Sequence, residues 1–217
     1  MIEHVYRAAA GASSVDVVLV ATDDERVADV VSAFGGTAVM TSATHRTGTD
    51  RLAEVAAGLD SEILVNVQGD EPLILSGQID AAVRTVLDQA AEVMGTLRCA
   101  IRDPADLANP AVVKVVVDTT GHALYFSRAP VPHVRADADR PTTRKHVGLY
   151  AYRRDFLLTI ARLPQTPLER AESLEQLRAL EHGYRIATVE THDDTIGVDT
   201  PEDLDRVRRL AEAATHA

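Results

Sequence analysis

Residues 63–72 read ILVNVQGDEP, and the fold turns on this stretch. Ile63, Leu64, Val65 and Val67 give the apolar, β-branched bias of a strand buried on both faces. The run stops at Gln68-Gly69-Asp70-Glu71-Pro72, which is turn chemistry. A helical stretch over 78–91 follows, so the unit reads strand, turn, helix. Open α/β sheets bind ligands at the carboxyl edge of their strands, and Asp70 sits at that edge.

The same alternation runs outward in both directions. Upstream, the pattern predicts a helix over 2–10 and a buried strand over 15–21 (VDVVLVA). A helix over 24–34 follows, stopped by Gly35-Gly36, then a short strand over 37–41 and a helix over 49–58. Downstream, 93–101, 112–118 and 123–127 read as strands, the last two joined as a hairpin by Asp118-Thr119-Thr120-Gly121. Residues 135–144 are polar, hold Pro141, and read as a mobile loop near the site. A strand over 147–152 precedes a helix over 155–162. Residues 168–182 predict one long amphipathic helix, opened by Pro167 and closed by Gly183, with a strand over 184–190 behind it. Thr200 caps the last helix, with Pro201 at its first position and Asp203 completing a capping-box-like pattern. The expected architecture is α/β and Rossmann-like: a mixed sheet flanked by helices and interrupted by a hairpin-rich insertion, forming one domain over 1–217.

Composition narrows the function classes. With 22 Lys and Arg against 33 Asp and Glu the net charge is −11, and no basic stripe stands out, which argues against nucleic acid as a partner. An acidic chain that handles anions needs a divalent cation, local Arg or Lys, or backbone N–H groups. Cys99 is the only cysteine, so no internal disulfide can form, and its expected place is a half-buried strand. No apolar run reaches about 18 residues and no signal peptide is evident, which predicts a cytoplasmic protein without a membrane partner.

Four groups of residues could carry chemistry. Asp70 follows a buried strand, Gly69 lets a ligand approach the backbone, and a carboxylate there can hold Mg²⁺ against phosphate oxygens. Asp199 precedes the last helix. Thr200 and Asp203 satisfy that helix end, which leaves Asp199 as a second candidate Mg²⁺ ligand or as simple dipole compensation. His45-Arg46-Thr47-Gly48-Thr49-Asp50-Arg51 places small residues and hydroxyls before a helix, suited to a base or phosphate, or to ordinary capping by Thr47 or Thr49. The fourth group is scattered: Arg128, suited to a carboxylate; His146 and Tyr150, four apart on one strand face; and Glu175 with Gln176.

Together these segments resemble the 3-deoxy-manno-octulosonate (KDO) cytidylyltransferases, the CMP-KDO synthetases. The resemblance rests on VLVATDDERVADVV, HRTGTDRLAEV, ILVNVQGDEPLI, NPAVVKVV, ALYFSRAPVP, KHVGLYAYRRDFL, PLERAESLEQLRALEHGYRI and GVDTPEDLDRVR, in family order. It implies a nucleotide-diphospho-sugar transferase-like fold and a homodimer formed through the hairpin-rich insertion. It implies the reaction of CTP with KDO to give CMP-KDO and pyrophosphate, for lipopolysaccharide synthesis. By resemblance, Asp70 and Asp199 are the catalytic Mg²⁺ ligands. Thr47, Gly48 and Gln68 are cytidine contacts, and Arg128, His146, Tyr150, Glu175 and Gln176 hold KDO. Family members open with a strand and a loop of the form P-A-R-x-x-S-x-R-x-P-x-K before G-x-P-M-I, and Met1-Ile2 lines up with that M-I. The expectation is therefore a sheet without its first central strand and a site without its triphosphate loop, explained best by a start assigned at an internal Met. The alternatives are a cytidylyltransferase for another acidic sugar (8-amino-KDO or a sialic acid), or a catalytically impaired, truncated paralogue.

Overall fold

The computed structural model describes residues 1–45, 47–136, 141–198 and 200–215. In chain order the first elements are α1 (Ile2–Ala10), β1 (Val20–Thr22), α2 (Glu25–Ala33), β2 (Ala38–Met40), α3 (Gly48–Ala57), β3 (Ile63–Val67) and α4 (Ser76–Leu87). Then come β4 (Met94–Ala100), α5 (Pro104–Ala108), β5 (Lys114–Val117), β6 (Ala123–Ser127) and β7 (Arg144–Arg153). The chain continues through α6 (Arg154–Ile160), α7 (Pro167–Glu172), α8 (Gln176–Glu181), β8 (Ala187–Thr191) and α9 (Pro201–Thr215).

β7 organises the main sheet. One of its edges pairs antiparallel with β4, which pairs parallel with β8. Its other edge is shared: 149–153 pair with β3, and Arg144 and Lys145 pair with β5, which carries β6 as a hairpin. The result is a mixed six-stranded sheet, as the residue pattern predicts. Period-two alternation splits β7 between two cores. Val147, Leu149 and Ala151 join Leu97 and Cys99 beneath α1 and α4. Tyr150 and Tyr152 turn the other way, to Phe126, Phe156, Leu157 and Leu177.

β1 and β2 form a separate parallel pair. Among the described residues no strand lies between β1 and β3, and each keeps one edge without a ladder. Both edges line a single cavity of about 1330 Å³. This corrects the strand expected over 15–21. Pairing begins at Val20, opposite Ala38 where β2 begins, so only Val20–Thr22 is strand, and Val17 lies 70% exposed. An apolar run without partners for its backbone groups is no strand.

Three other expectations need correction. α4 ends at Leu87 with Asp88 as its C-cap, and the chain beyond it turns back to the sheet, where the buried Glu92 carboxylate lies 2.8 Å from His122 Nε2. Arg144 belongs to β7 and not to the loop; 137–140 of that loop lie outside the described residues. The helix over 168–182 is two short helices. Ser173 adopts a left-handed conformation (φ 52°, ψ 50°), and α8 starts afresh at Gln176. Tertiary demand overrides helix propensity here. The Glu172 carboxylate is claimed by β6, and Arg178 locks the two helices together through a bidentate pair with Glu169.

Candidate active site

The cavity between β1 and β3 continues over the carboxyl end of β3 to α8 and β7, and most of the sequence-predicted residues line it. Gly48, Gln68 and Asp70 line it together with Arg128, His146, Tyr150, Glu175 and Gln176. Thr47 is not among the lining residues. Its hydroxyl accepts from Asp50 N at 3.1 Å, so it serves as the cap of α3, the plainer of its two readings. Asp199 lies outside the described residues.

Asp70 occupies the turn after β3, and its carbonyl accepts from Val198 N at 2.9 Å. That bond ties the β3 turn to the segment leading into α9. Glu71, its neighbour, points inward. Burial pushes its carboxyl up to about 7, aided by Asp70 and Asp194 and opposed by a hydrogen bond with Thr195 and by Lys145. Its Oε2 is buried with no hydrogen-bond partner among the described residues. Lys145 reaches from β7 to pair with Asp194 and donates to Thr195 O at 2.8 Å. Gly148 sits where the β4–β7 register shifts. A Cβ there would come within 3.1 Å of Gln68 Nε2, so glycine leaves room for the Gln68 amide.

The polar groups of β7 and α8 have side-chain partners of their own. The half-buried His146 ring lies between Phe126 and Tyr150, with ring centroids 5.1 and 5.2 Å away. Its Nε2 lies 2.9 Å from Thr96 Oγ1, and burial lowers its pKa to about 3, so the ring is neutral. Burial raises the Tyr150 phenol, which therefore keeps its proton. Glu175 accepts from Thr49 Oγ1 at 2.5 Å, linking α8 to α3. Arg128 donates through Nε to Glu172 O (2.8 Å) and through Nη1 to Pro110 O (3.0 Å).

Sequence reasoning missed several partners. Lys114 is fully buried, and its ammonium donates to the carbonyls of Asn109 (2.9 Å), Val112 (2.6 Å) and Arg128 (2.6 Å). The signal was a lysine inside the otherwise apolar run 112–117, which calls for buried partners. Arg51 also lines the cavity, held by Thr41 Oγ1 (2.5 Å) and Asp23 (3.0 Å). Glu71 stands inside the quoted motif, but a carboxylate beside a more obvious one carries no separate signal.

The cavity gathers a guanidinium, carboxylates, a phenol, an imidazole and amides in one lining. The cytidylyltransferase family model matches residues 1–186. The chain belongs to the cytidylyltransferase family. It is 58% identical to a 3-deoxy-manno-octulosonate cytidylyltransferase of Geobacter metallireducens, over 95% of this chain and 85% of that one. A second such enzyme, from Solibacter usitatus, is 54% identical over 99% and 85%. Among solved structures, a CMP:2-keto-3-deoxy-manno-octonic acid synthetase complexed with CTP superposes with a TM-score of 0.92 at 46% identity, covering 98% of this chain and 88% of that one. A 4-diphosphocytidyl-2C-methyl-D-erythritol synthase from Anaerococcus prevotii shares the fold alone, at TM-score 0.62 and 12% identity over 97% and 86% of the two chains. The nucleotidyltransferase fold and the expected family thus stand. No helix among the described residues is long and apolar enough to cross a membrane.

Proposed function

We propose that this cytidylyltransferase transfers CMP from CTP to KDO, releasing pyrophosphate. The observation that carries this is the shared cavity. Gly48, Gln68 and Asp70 line one space with Arg128, His146, Tyr150, Glu175 and Gln176, in a chain 58% identical to a KDO cytidylyltransferase. The KDO anomeric hydroxyl attacks the α-phosphorus, and the bond to the β,γ-pyrophosphate breaks. Such a transfer depends on positioning and charge neutralisation.

The chain's own groups supply the positioning. Arg128 carries a planar, permanently charged head for the KDO carboxylate. Neutral His146, protonated Tyr150 and the Glu175–Gln176 pair offer donors and acceptors to sugar hydroxyls. The Gln68 amide and the backbone at Gly48 read the cytidine. Mg²⁺ fits this donor set. Among the described residues no cluster of three or more metal-type side chains exists, yet Mg²⁺ characteristically takes one or two carboxylates plus substrate phosphates. Asp70 would hold it, with Asp199 as the second carboxylate. When bound, the ion neutralises charge developing on the phosphate oxygens. The same proposal includes a homodimer through the β5–β6 hairpin, where β6 is the sheet edge and Leu124 lies 61% exposed.

The test is pyrophosphate release with CTP, Mg²⁺ and a panel of acidic sugars. KDO-dependent release, abolished in a folded Asp70→Asn variant, is expected. Release with a sialic acid or 8-amino-KDO in preference to KDO would move the assignment to that sugar. No release with any sugar would favour a non-catalytic paralogue.

A further inference from the structure

We propose that Glu172 is a positioning residue that pre-organises Arg128 for its substrate, with Lys114 as the second half of the brace. This role rests on the CMP transfer to KDO proposed above. Glu172 ends α7, and its carboxylate receives Ser127 Oγ at 2.6 Å and Arg128 N at 2.9 Å. Its own carbonyl receives Arg128 Nε at 2.8 Å. One residue therefore grips both the backbone and the side chain of Arg128. Lys114 acts from behind, donating to Arg128 O at 2.6 Å from a fully buried position. Arg128 N–H and C=O are thus both bound by charged side chains, where charge-assisted hydrogen bonds are the strong kind.

The local backbone shows why Glu172 can do this. Ser173 turns the chain left-handed directly after it, and Ser173 O lies 3.5 Å from Arg128 Nη2. Leu174 then drops into the core at 6% exposure, and Glu175 and Gln176 open α8 on the cavity wall. The elbow at 172–173 fixes the distance between Arg128 and the Glu175–Gln176 pair, two parts of one sugar subsite. An arginine with free rotamers loses conformational freedom on binding, whereas one already held does not.

The test compares Glu172→Ala and Glu172→Gln with the wild-type chain. The amide of Glu172→Gln keeps an oxygen to accept from Arg128 N, while its NH2 can donate to the Ser127 hydroxyl, so it serves as the conservative rescue. Glu172→Ala is expected to raise the KM for KDO about tenfold or more, leave the KM for CTP within about twofold, and Glu172→Gln to recover most of the loss. The Arg128 backbone N–H resonance is the activity-independent readout, because that N–H donates to the Glu172 carboxylate: protected from solvent exchange in the wild type, exposed in Glu172→Ala. Lys114→Met should shift the KDO KM the same way. An unchanged KDO KM in a folded Glu172→Ala variant overturns the role, as does an equal rise in both KM values. If the wild type turns over no KDO, the function fails while the Arg128 resonance still decides the brace. Unchanged protection in Glu172→Ala then refutes it.

Discussion

Breaking the Glu169–Arg178 pair should cost the chain more stability than any other single charge removal at the α7–α8 junction. Arg178 is 4% exposed and Glu169 3%. The guanidinium donates through Nε to Glu169 Oε2 at 2.9 Å and through Nη2 to Oε1 at 2.5 Å, a bidentate fork. Glu169 Oε2 also receives Thr166 N at 3.1 Å, so the carboxylate closes the capping box of α7. In Arg178→Met the methylene volume stays while a buried carboxylate loses its partner, which costs about 3–5 kcal/mol. At about 2–4 °C per kcal/mol for a chain of this size, Tm should fall by roughly 6–20 °C. A double variant, Arg178→Met with Glu169→Met, removes both charges and should recover most of that loss, short of about 1 kcal/mol for the capping box. Thermal and urea melts of the wild type, both singles and the double form the cycle. The sign of the pH effect follows from the Glu169 carboxyl. Burial raises it, but the Arg178 hydrogen bonds and Thr166 N–H prevail and hold it below its ordinary 4.5. Its stabilisation is therefore complete above about pH 4.5 and is lost as pH falls through the lowered value. A Tm within 2 °C of wild type for Arg178→Met, or a double variant no better than the single, would falsify this account of the pair.

Three further outcomes are expected. A Cβ at Gly95 would sit 1.6 Å from Thr85 Oγ1, so Gly95→Ala should lose at least about 1–3 kcal/mol. Adding Thr85→Ala should restore part of that loss in urea melts, and no recovery would locate the strain elsewhere. His146 titrates near 3 when folded but near 6.5 when unfolded, so it destabilises the fold by about 1.4 kcal/mol per pH unit as pH drops below 6.5. His146→Gln should flatten the slope of Tm against pH between roughly 6 and 4, and an unaltered slope would show a charged ring in the fold. Cys99 is 2% exposed and burial pushes its thiol up to about 12, so iodoacetamide at pH 8 should leave native chain unlabelled while labelling it fully in urea. Rapid labelling without urea would contradict the buried placement.

Much of the fold was legible because its elements are decided locally. Ile63–Val67 and Ala123–Ser127 fall where the apolar runs put them, and Thr200 and Asp203 bond as a capping box, with Thr200 N to Asp203 Oδ2 at 3.0 Å and Asp203 N to Thr200 Oγ1 at 3.2 Å. What misled was context. Residues 15–19 have strand composition, but strand is a property of pairing, and among the described residues no strand pairs with them. The helix over 168–182 has the right periodicity, but nothing in it announces that β6 requires the Glu172 carboxylate. The lining residues were reachable through motifs, since Asp70 ends a strand and His146 and Tyr150 share a face. The groups that hold them in place, Lys114, Glu172 and Lys145, come from segments 14 to 50 positions away in the chain. Such pairings exist only after folding.

The two sets of described strands differ in how many backbone partners hold them. Val20–Thr22 and Ala38–Met40 make a three-residue ladder, close to the size at which a two-stranded ribbon is marginal in water. β7, by contrast, is secured along both edges by three strands. Backbone amides of β1 and β2 should exchange with solvent orders of magnitude faster than those of β7, through local openings that leave the larger sheet intact. Any ligand that contacts both sets would spend part of its binding free energy on ordering the smaller one, and that part would show as slowed exchange in β1 and β2.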